Sequence, residues 1–155
     1  MRAHIIIYNS REKKQLRQQL EEEYGITKLP EYVYFSINKK ERVYIAPESV
    51  FQEDQNKLRV NAFGMYIGTI MKDGFRFSLE GAQLFGPLAT KNIVDVGQEE
   101  RNKWFQGEAL PCETNEGAYV LVRNEQDYLG SGKVKDKEII NYLAKARKLT
   151  NVFVP

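Results

Sequence analysis

The sequence is poor in the residues from which soft-ligand sites are built. Its 155 residues include one cysteine, Cys112, and one histidine, His4. One thiol cannot close an internal disulfide, and one thiol with one imidazole leaves an ordinary structural zinc without ligands. A structural zinc is therefore excluded, and no other metal and no cofactor are expected. Long apolar runs are missing too. Ile5-Ile6-Ile7-Tyr8 falls far short of the roughly 20 residues of a membrane helix. It is also shorter than the roughly 7 to 15 apolar residues of a secretory core. The expectation is a cytoplasmic protein with no membrane partner. Charge of one sign is equally absent: 23 Lys+Arg stand against 21 Asp+Glu, a net charge of +2. Any surface for a polyanion must come from local clustering. What remains, 42% hydrophobic residues with 11 Gly and 5 Pro, is globular composition, enough for one domain or two small ones.

Residues 2–8 are apolar and β-branched and read as a strand. Asn9-Ser10 then offer helix-capping side chains before a helix over 11–24, where Leu16, Leu20 and Tyr24 form one apolar stripe and Gly25 stands at the C-terminal cap. Basic and acidic residues cancel along that helix, which marks a solvated outer face. From Pro30 the period changes to two. Val33, Phe35 and Ile37 alternate with Tyr32, Tyr34 and Ser36, and a turn at 38–41 leads to a strand over 42–46. The polar stretch 47–56 marks a boundary near residue 55.

Beyond it the chain reads as mainly β. Strands are expected over 58–63, 65–71 and 75–79, with an Asp73-Gly74 turn. A short helix over 80–85 precedes Gly86-Pro87, and a further strand over 92–96 ends at Gly97. A second helix spans 98–105, with Glu99 and Glu100 at its start and Lys103 near its end, the order that suits a helix dipole. Strands over 118–122 and 126–130, a bend at Gly130-Ser131-Gly132, then 133–135 and 139–143 complete the pattern. Short strands with small helices imply a small barrel in an α+β chain.

Few residues suggest catalysis. His4 lacks a sequence-adjacent serine or carboxylate and reads as structural. Pro111-Cys112 has the order of the nucleophile in RNA cytosine-5 methyltransferases. No second cysteine and no Gly-rich strand-to-helix loop accompanies it, so Cys112 reads as a loop or partly buried thiol. The charge distribution is more informative. From Ser131 to Leu149 six cations, Lys133, Lys135, Lys137, Lys145, Arg147 and Lys148, face two acids, whereas residues 98–118 carry five acids and two cations. Asn141 and Tyr142 add an amide and a ring beside the cations. Cations for phosphates, a ring for an unpaired base and an amide for a base edge suit RNA. Composition alone describes an ordinary solvated tail equally well.

The ordered strings Leu58-Arg59-Val60-Asn61-Ala62-Phe63-Gly64, Phe75-Arg76-Phe77-Ser78-Leu79-Glu80-Gly81, Trp104-Phe105-Gln106-Gly107-Glu108, Leu129-Gly130-Ser131-Gly132-Lys133-Val134 and Asn141-Tyr142-Leu143-Ala144-Lys145-Ala146-Arg147 resolve this balance. Together they resemble the PUA-type RNA-binding domain of Nop/Sun-type RNA cytosine-5 methyltransferases and its stand-alone relatives. Tyr24-Gly25-Ile26 and Pro30-Glu31-Tyr32-Val33 resemble the pre-PUA segment before it. Ala144 stands where the pattern leads one to expect proline. The resemblance implies a pre-PUA-like α+β segment over 1–55 and a PUA-like mixed β pseudo-barrel with short helices over 56–155. It also implies a non-catalytic protein, without the S-adenosylmethionine-binding domain, that recognises structured rRNA or tRNA in RNA modification or ribosome biogenesis. The expected RNA-binding residues are Arg76, Lys133, Lys135, Asn141, Tyr142, Lys145, Arg147 and Lys148. Five phosphate contacts among these would give a log-log salt slope of about −3 to −5. The competing expectation is an accessory subunit that docks on a separate RNA methyltransferase or ribosome-assembly factor through Tyr32, Tyr34 and Tyr44.

Overall fold

Strand β1 (Ile5–Ile7) opens the chain and helix α1 (Ser10–Tyr24) follows at once. The computed structural model describes residues 4–51 and 64–143. Both ends of α1 are set by local chemistry. The Glu12 N–H donates to the Asn9 side chain at 2.9 Å, while the Glu12 carboxylate accepts the Asn9 N–H at 3.0 Å. At the other end Gly25, with φ 71°, donates to the Glu21 carbonyl at 2.9 Å. Leu16, Leu20 and Tyr24 are buried as one stripe, so the charged faces of α1 lie outward.

That stripe packs on an antiparallel sheet of β1, β2 (Val33–Ile37), β3 (Arg42–Ala46), β4 (Met65–Met71) and β5 (Gly74–Phe77), in that order. Strands β3 and β4 stand on opposite sides of residue 55 and are neighbours in this one sheet. The inner face contributes Tyr34, Val43, Ile45, Ile67, Phe75 and Phe77 to the larger core. Residues 2–3 and the expected strand over 58–63 lie outside the described residues.

After β5 the chain turns at Ser78. Its hydroxyl accepts the Gly81 N–H at 2.9 Å, starting helix α2 (Leu79–Phe85), and donates to the Tyr66 carbonyl at 2.7 Å. The expected strand over 75–79 therefore ends two residues early, because Ser78 serves as a helix cap. Helix α3 (Gln98–Phe105) forms where expected, and the Glu100 carboxylate accepts the Gly97 N–H at 3.0 Å.

The second sheet runs β6 (Ile93–Asp95), β8 (Tyr119–Asn124), β9 (Asp127–Lys135), β10 (Glu138–Asn141) and β7 (Leu110–Pro111). β6 and β8 are parallel and the other pairs antiparallel. With three helices on the sheets and one sheet curled into a half barrel, the fold is α+β. The central strands β8 and β9 are buried on both faces, which suits the near-continuous apolar run at the start of β8. Tyr119 and Leu121 join the larger core, while Val120, Val122, Val134 and Ile139 pack with Trp104 of α3 in a second core.

The bend expected at residues 130–132 is absent, and β9 runs straight through it. Gly130 supplies a positive φ of 114°, and Gly132 serves close approach rather than reversal. A Cβ on Gly132 would stand 2.2 Å from the Ile140 carbonyl oxygen of the neighbouring strand. The chain reverses instead at Asp136 and Lys137, with φ 55° and 64°, a two-residue hairpin joining β9 to β10. Among the described residues, no helix is long and apolar enough to cross a membrane.

Candidate functional site

The junction between the two sheets holds a cavity of about 240 Å³. Tyr66, Arg76, Ser78, Trp104, Ser131 and Tyr142 are among its lining residues. Arg76 projects from β5 on the side opposite Phe75 and Phe77. Its guanidinium carbon lies 4.5 Å from the centroid of the Tyr142 ring, within cation–π range. Tyr142 follows β10 and is 40% exposed, so the pair presents an open aromatic face beside a fixed positive charge.

Asn141 sets this geometry from behind. Its amide nitrogen donates to the Trp104 carbonyl at 2.7 Å and to the Glu108 carbonyl at 3.2 Å, and its side-chain oxygen accepts the Leu143 N–H at 2.7 Å. These bonds hold the chain leaving β10 so that Tyr142 meets Arg76. Asn141 is a positioning residue in this arrangement, with both ends of its amide engaged inside the protein.

Lys133 stands on β9 across the sheet junction. It forms an ion pair with Asp73, and its ammonium lies 5.9 Å from the Tyr119 ring centroid. The Tyr119 hydroxyl donates to the same Asp73 at 3.0 Å. Hydrogen bonds from Lys133 and Tyr119 hold the Asp73 carboxyl below the usual aspartate range, and the bond to Asp73 raises the Lys133 ammonium. Burial, and after it the bond to Asp73, pushes the Tyr119 phenol up to about 12. Lys133 thus clasps the two sheets together. Lys135, two residues along the strand, is exposed. Lys145, Arg147 and Lys148 lie outside the described residues.

Glu23 closes the junction from α1, its carboxylate accepting the Phe75 N–H at 2.8 Å. Burial raises its pKa, with that hydrogen bond only partly opposing the shift. The two carboxylates therefore respond oppositely to pH. Asp73, depressed in the fold, contributes stability that is present above the ordinary aspartate range and is lost as pH falls through the lowered value. Glu23, raised in the fold, favours its neutral form, so stability falls as pH rises from the ordinary glutamate range through the raised value. In thermal melts at pH 7, Glu23→Gln should match or exceed the parent, and its advantage should vanish on acidification. Asp73→Asn should melt lower, a deficit that closes only below the ordinary aspartate range. Identical pH profiles for the two variants would contradict this assignment.

Other sequence-flagged groups lie elsewhere. The three tyrosines Tyr32, Tyr34 and Tyr44 do not form one surface. Tyr34 is buried in the larger core with its hydroxyl on the Pro30 carbonyl at 2.8 Å, whereas Tyr44 lies on the opposite face of the sheet. Strand alternation separates them. Cys112 is buried in the second core, its thiol donating to the Thr114 carbonyl at 3.2 Å. His4 is exposed and joins Asn38 through its backbone. Tyr66 and Trp104 also line the cavity without having been flagged for it. The only local signal for Tyr66 is its aromatic character at an outward strand position.

The match to known families falls on this architecture. Residues 91–149 match the family model described as the methyltransferase RsmF PUA domain, a range that takes in the whole second sheet and Tyr142. The chain carries a PUA-type domain resembling that of Sun-type RNA methyltransferases. Over 137 residues, 88% of its length, it is 26% identical to ribosomal RNA small subunit methyltransferase F of Aeromonas hydrophila subsp. hydrophila. Over the same length it is 24% identical to the protein of that name from Aeromonas salmonicida. The chain spans 28% of the length of each of these relatives.

Proposed function

We propose that this chain is a non-catalytic RNA-binding module acting in rRNA modification, and that the cavity beneath Arg76 and Tyr142 is where it meets RNA. The observation that carries this reading is the Arg76–Tyr142 pair at 4.5 Å. A guanidinium held against an exposed ring offers a phosphate contact and a stacking face at one point, which suits an unpaired nucleotide in a structured RNA. The pair joins a residue outside the PUA match to one inside it. Lys135 adds an exposed cation on the same molecule. The non-catalytic part of the reading draws on Cys112, whose thiol is enclosed by the second core and turned onto a backbone carbonyl.

The relatives are named as methyltransferases of small-subunit ribosomal RNA. The corresponding role here is to position rRNA for a methyltransferase centre outside these residues. Fluorescence anisotropy with rRNA hairpins, tRNA and matched duplex DNA at two salt concentrations tests it. Preference for rRNA is expected, with Arg76→Ala and Tyr142→Ala each weakening binding by roughly 5- to 50-fold, and Tyr142→Phe close to the parent. Affinity indifferent to these changes, or to salt, would overturn the reading. A protein partner retained after nuclease treatment would then make docking on a methyltransferase or assembly factor the leading role.

A further inference from the structure

The first sheet has a second face, turned away from α1, and its composition is unusual. Strands β1 to β5 contain two charged residues, Arg42 and Arg76, and both are arginine. Register places them in one row: Arg42 pairs with Thr69, and Thr69 pairs with Arg76. Residues directly opposite across neighbouring strands share a face, so both guanidinium groups emerge on the outer side, separated by the width of β4. Two strand spacings put them about 9–10 Å apart at the backbone.

The same face carries an aromatic series. Tyr44 pairs with Tyr66 across β3 and β4, with ring centroids 5.4 Å apart, and Phe35 stacks behind Tyr44 at 5.7 Å. Among the described residues, the 3-10 turn Glu48–Phe51 covers the β2 end, where Phe51 meets Phe35 edge-on at 5.4 Å. Tyr44, Tyr66, Thr69 and Arg76 are partly exposed, and Arg42 is exposed. Tyr66 also lines the cavity beneath Arg76 and Tyr142. The rings of the outer face are therefore continuous with that cavity.

We infer that this face extends the site into a track for a single-stranded RNA segment, running from Tyr142 and Arg76 across Tyr66 to Tyr44 and Arg42. The inference rests on the RNA-binding reading above and adds to it the class of ligand, an unpaired strand several nucleotides long. A strand-borne row of rings flanked by cations stacks successive bases and neutralises the backbone between them. The charge carried by the strands themselves is of one sign, opposite to that of a nucleic-acid backbone, and Glu80 is the acidic residue that lines the adjoining cavity. A protein partner would find no acidic side chain among these strands for its own cations.

The test uses the full chain and fluorescein-labelled oligouridylates of two to eight nucleotides. Parent affinity should rise with length well beyond the dinucleotide. Arg42→Ala, at an exposed position, and Tyr44→Leu, which keeps apolar packing, should weaken the hexamer by roughly 5- to 10-fold and leave the dinucleotide unchanged. Circular dichroism checks that each variant is folded, and Arg42→Ala decides the matter if Tyr44→Leu is not. A length dependence unchanged in Arg42→Ala would overturn the track while Arg76→Ala and Tyr142→Ala still weakened hairpin binding. Parent binding to hairpins but to no single strand of any length would overturn it equally. Loss of all RNA binding by the parent would remove the RNA-binding reading, and the track with it.

Discussion

Replacing Trp104 by alanine is expected to lower stability by about 4 kcal/mol, measured as a shift in a urea unfolding curve at constant slope. The indole is fully buried in the second core, where it packs with Val120, Val122, Leu129, Val134 and Ile139. Its Nε1 donates to the Leu129 carbonyl at 2.7 Å. Alanine removes the ring and leaves that carbonyl without its donor, and a buried unpaired acceptor adds about 1–3 kcal/mol. A domain has only about 5–15 kcal/mol in total, so this one change takes a large share. Trp104→Phe separates the two contributions, since it keeps much of the apolar contact and loses the N–H. Its expected cost is about 1–3 kcal/mol. The Trp104 carbonyl also accepts from Asn141, so loosening α3 should relax the strand end that holds Tyr142. RNA affinity should fall even where the alanine variant is folded. A loss of under about 1 kcal/mol would contradict the placement of Trp104 at the centre of this core.

Elements whose causes are local were legible from sequence. Helix α1 was readable because Asn9, Glu12 and Gly25 satisfy its ends within a few residues, and α3 because its acidic start and Lys103 suit the dipole. The β2–β3 hairpin followed from its alternation and its turn, where Asn38 takes φ 64°. Features decided by distant neighbours were not legible. Gly130-Ser131-Gly132 has the composition of a bend, but a neighbouring strand and Trp104 occupy the space a side chain would need. Asp136-Lys137 carries no glycine, yet it makes the hairpin. Lys133 was readable as a cation but not as the partner of Asp73, which lies in the β4–β5 turn of the other sheet. The same limit applies to the candidate site. Arg76 and Tyr142 could each be named from residue type, while their meeting depends on the docking of the two sheets. Asn141 read as a base-edge amide because sequence does not reveal that Trp104, Glu108 and Leu143 already engage it.

Gly81→Ala should be the most disruptive single-methyl change near the site, lowering stability by about 2–3 kcal/mol. A Cβ there would stand 1.9 Å from the Ile67 carbonyl oxygen and 2.7 Å from its carbon. Both are backbone atoms of β4, so no side-chain rotation can relieve the contact. The carbonyl is pinned as well, because it accepts the Ser78 N–H at 2.9 Å. Alanine favours a helix over glycine by about 1 kcal/mol, which partly offsets the clash but does not reverse it. Helix α2 would have to back away from β4, drawing Ala82 and Phe85 out of the larger core and straining the Ser78 cap. Ser78 and Leu79 line the cavity, so the displacement should also weaken RNA binding. Gly97→Ala is the matched control: a Cβ there meets only the Glu100 carboxylate, at 3.5 Å, an ordinary contact. If the two glycine variants unfolded at the same urea concentration, the close seating of α2 on β4 would be wrong.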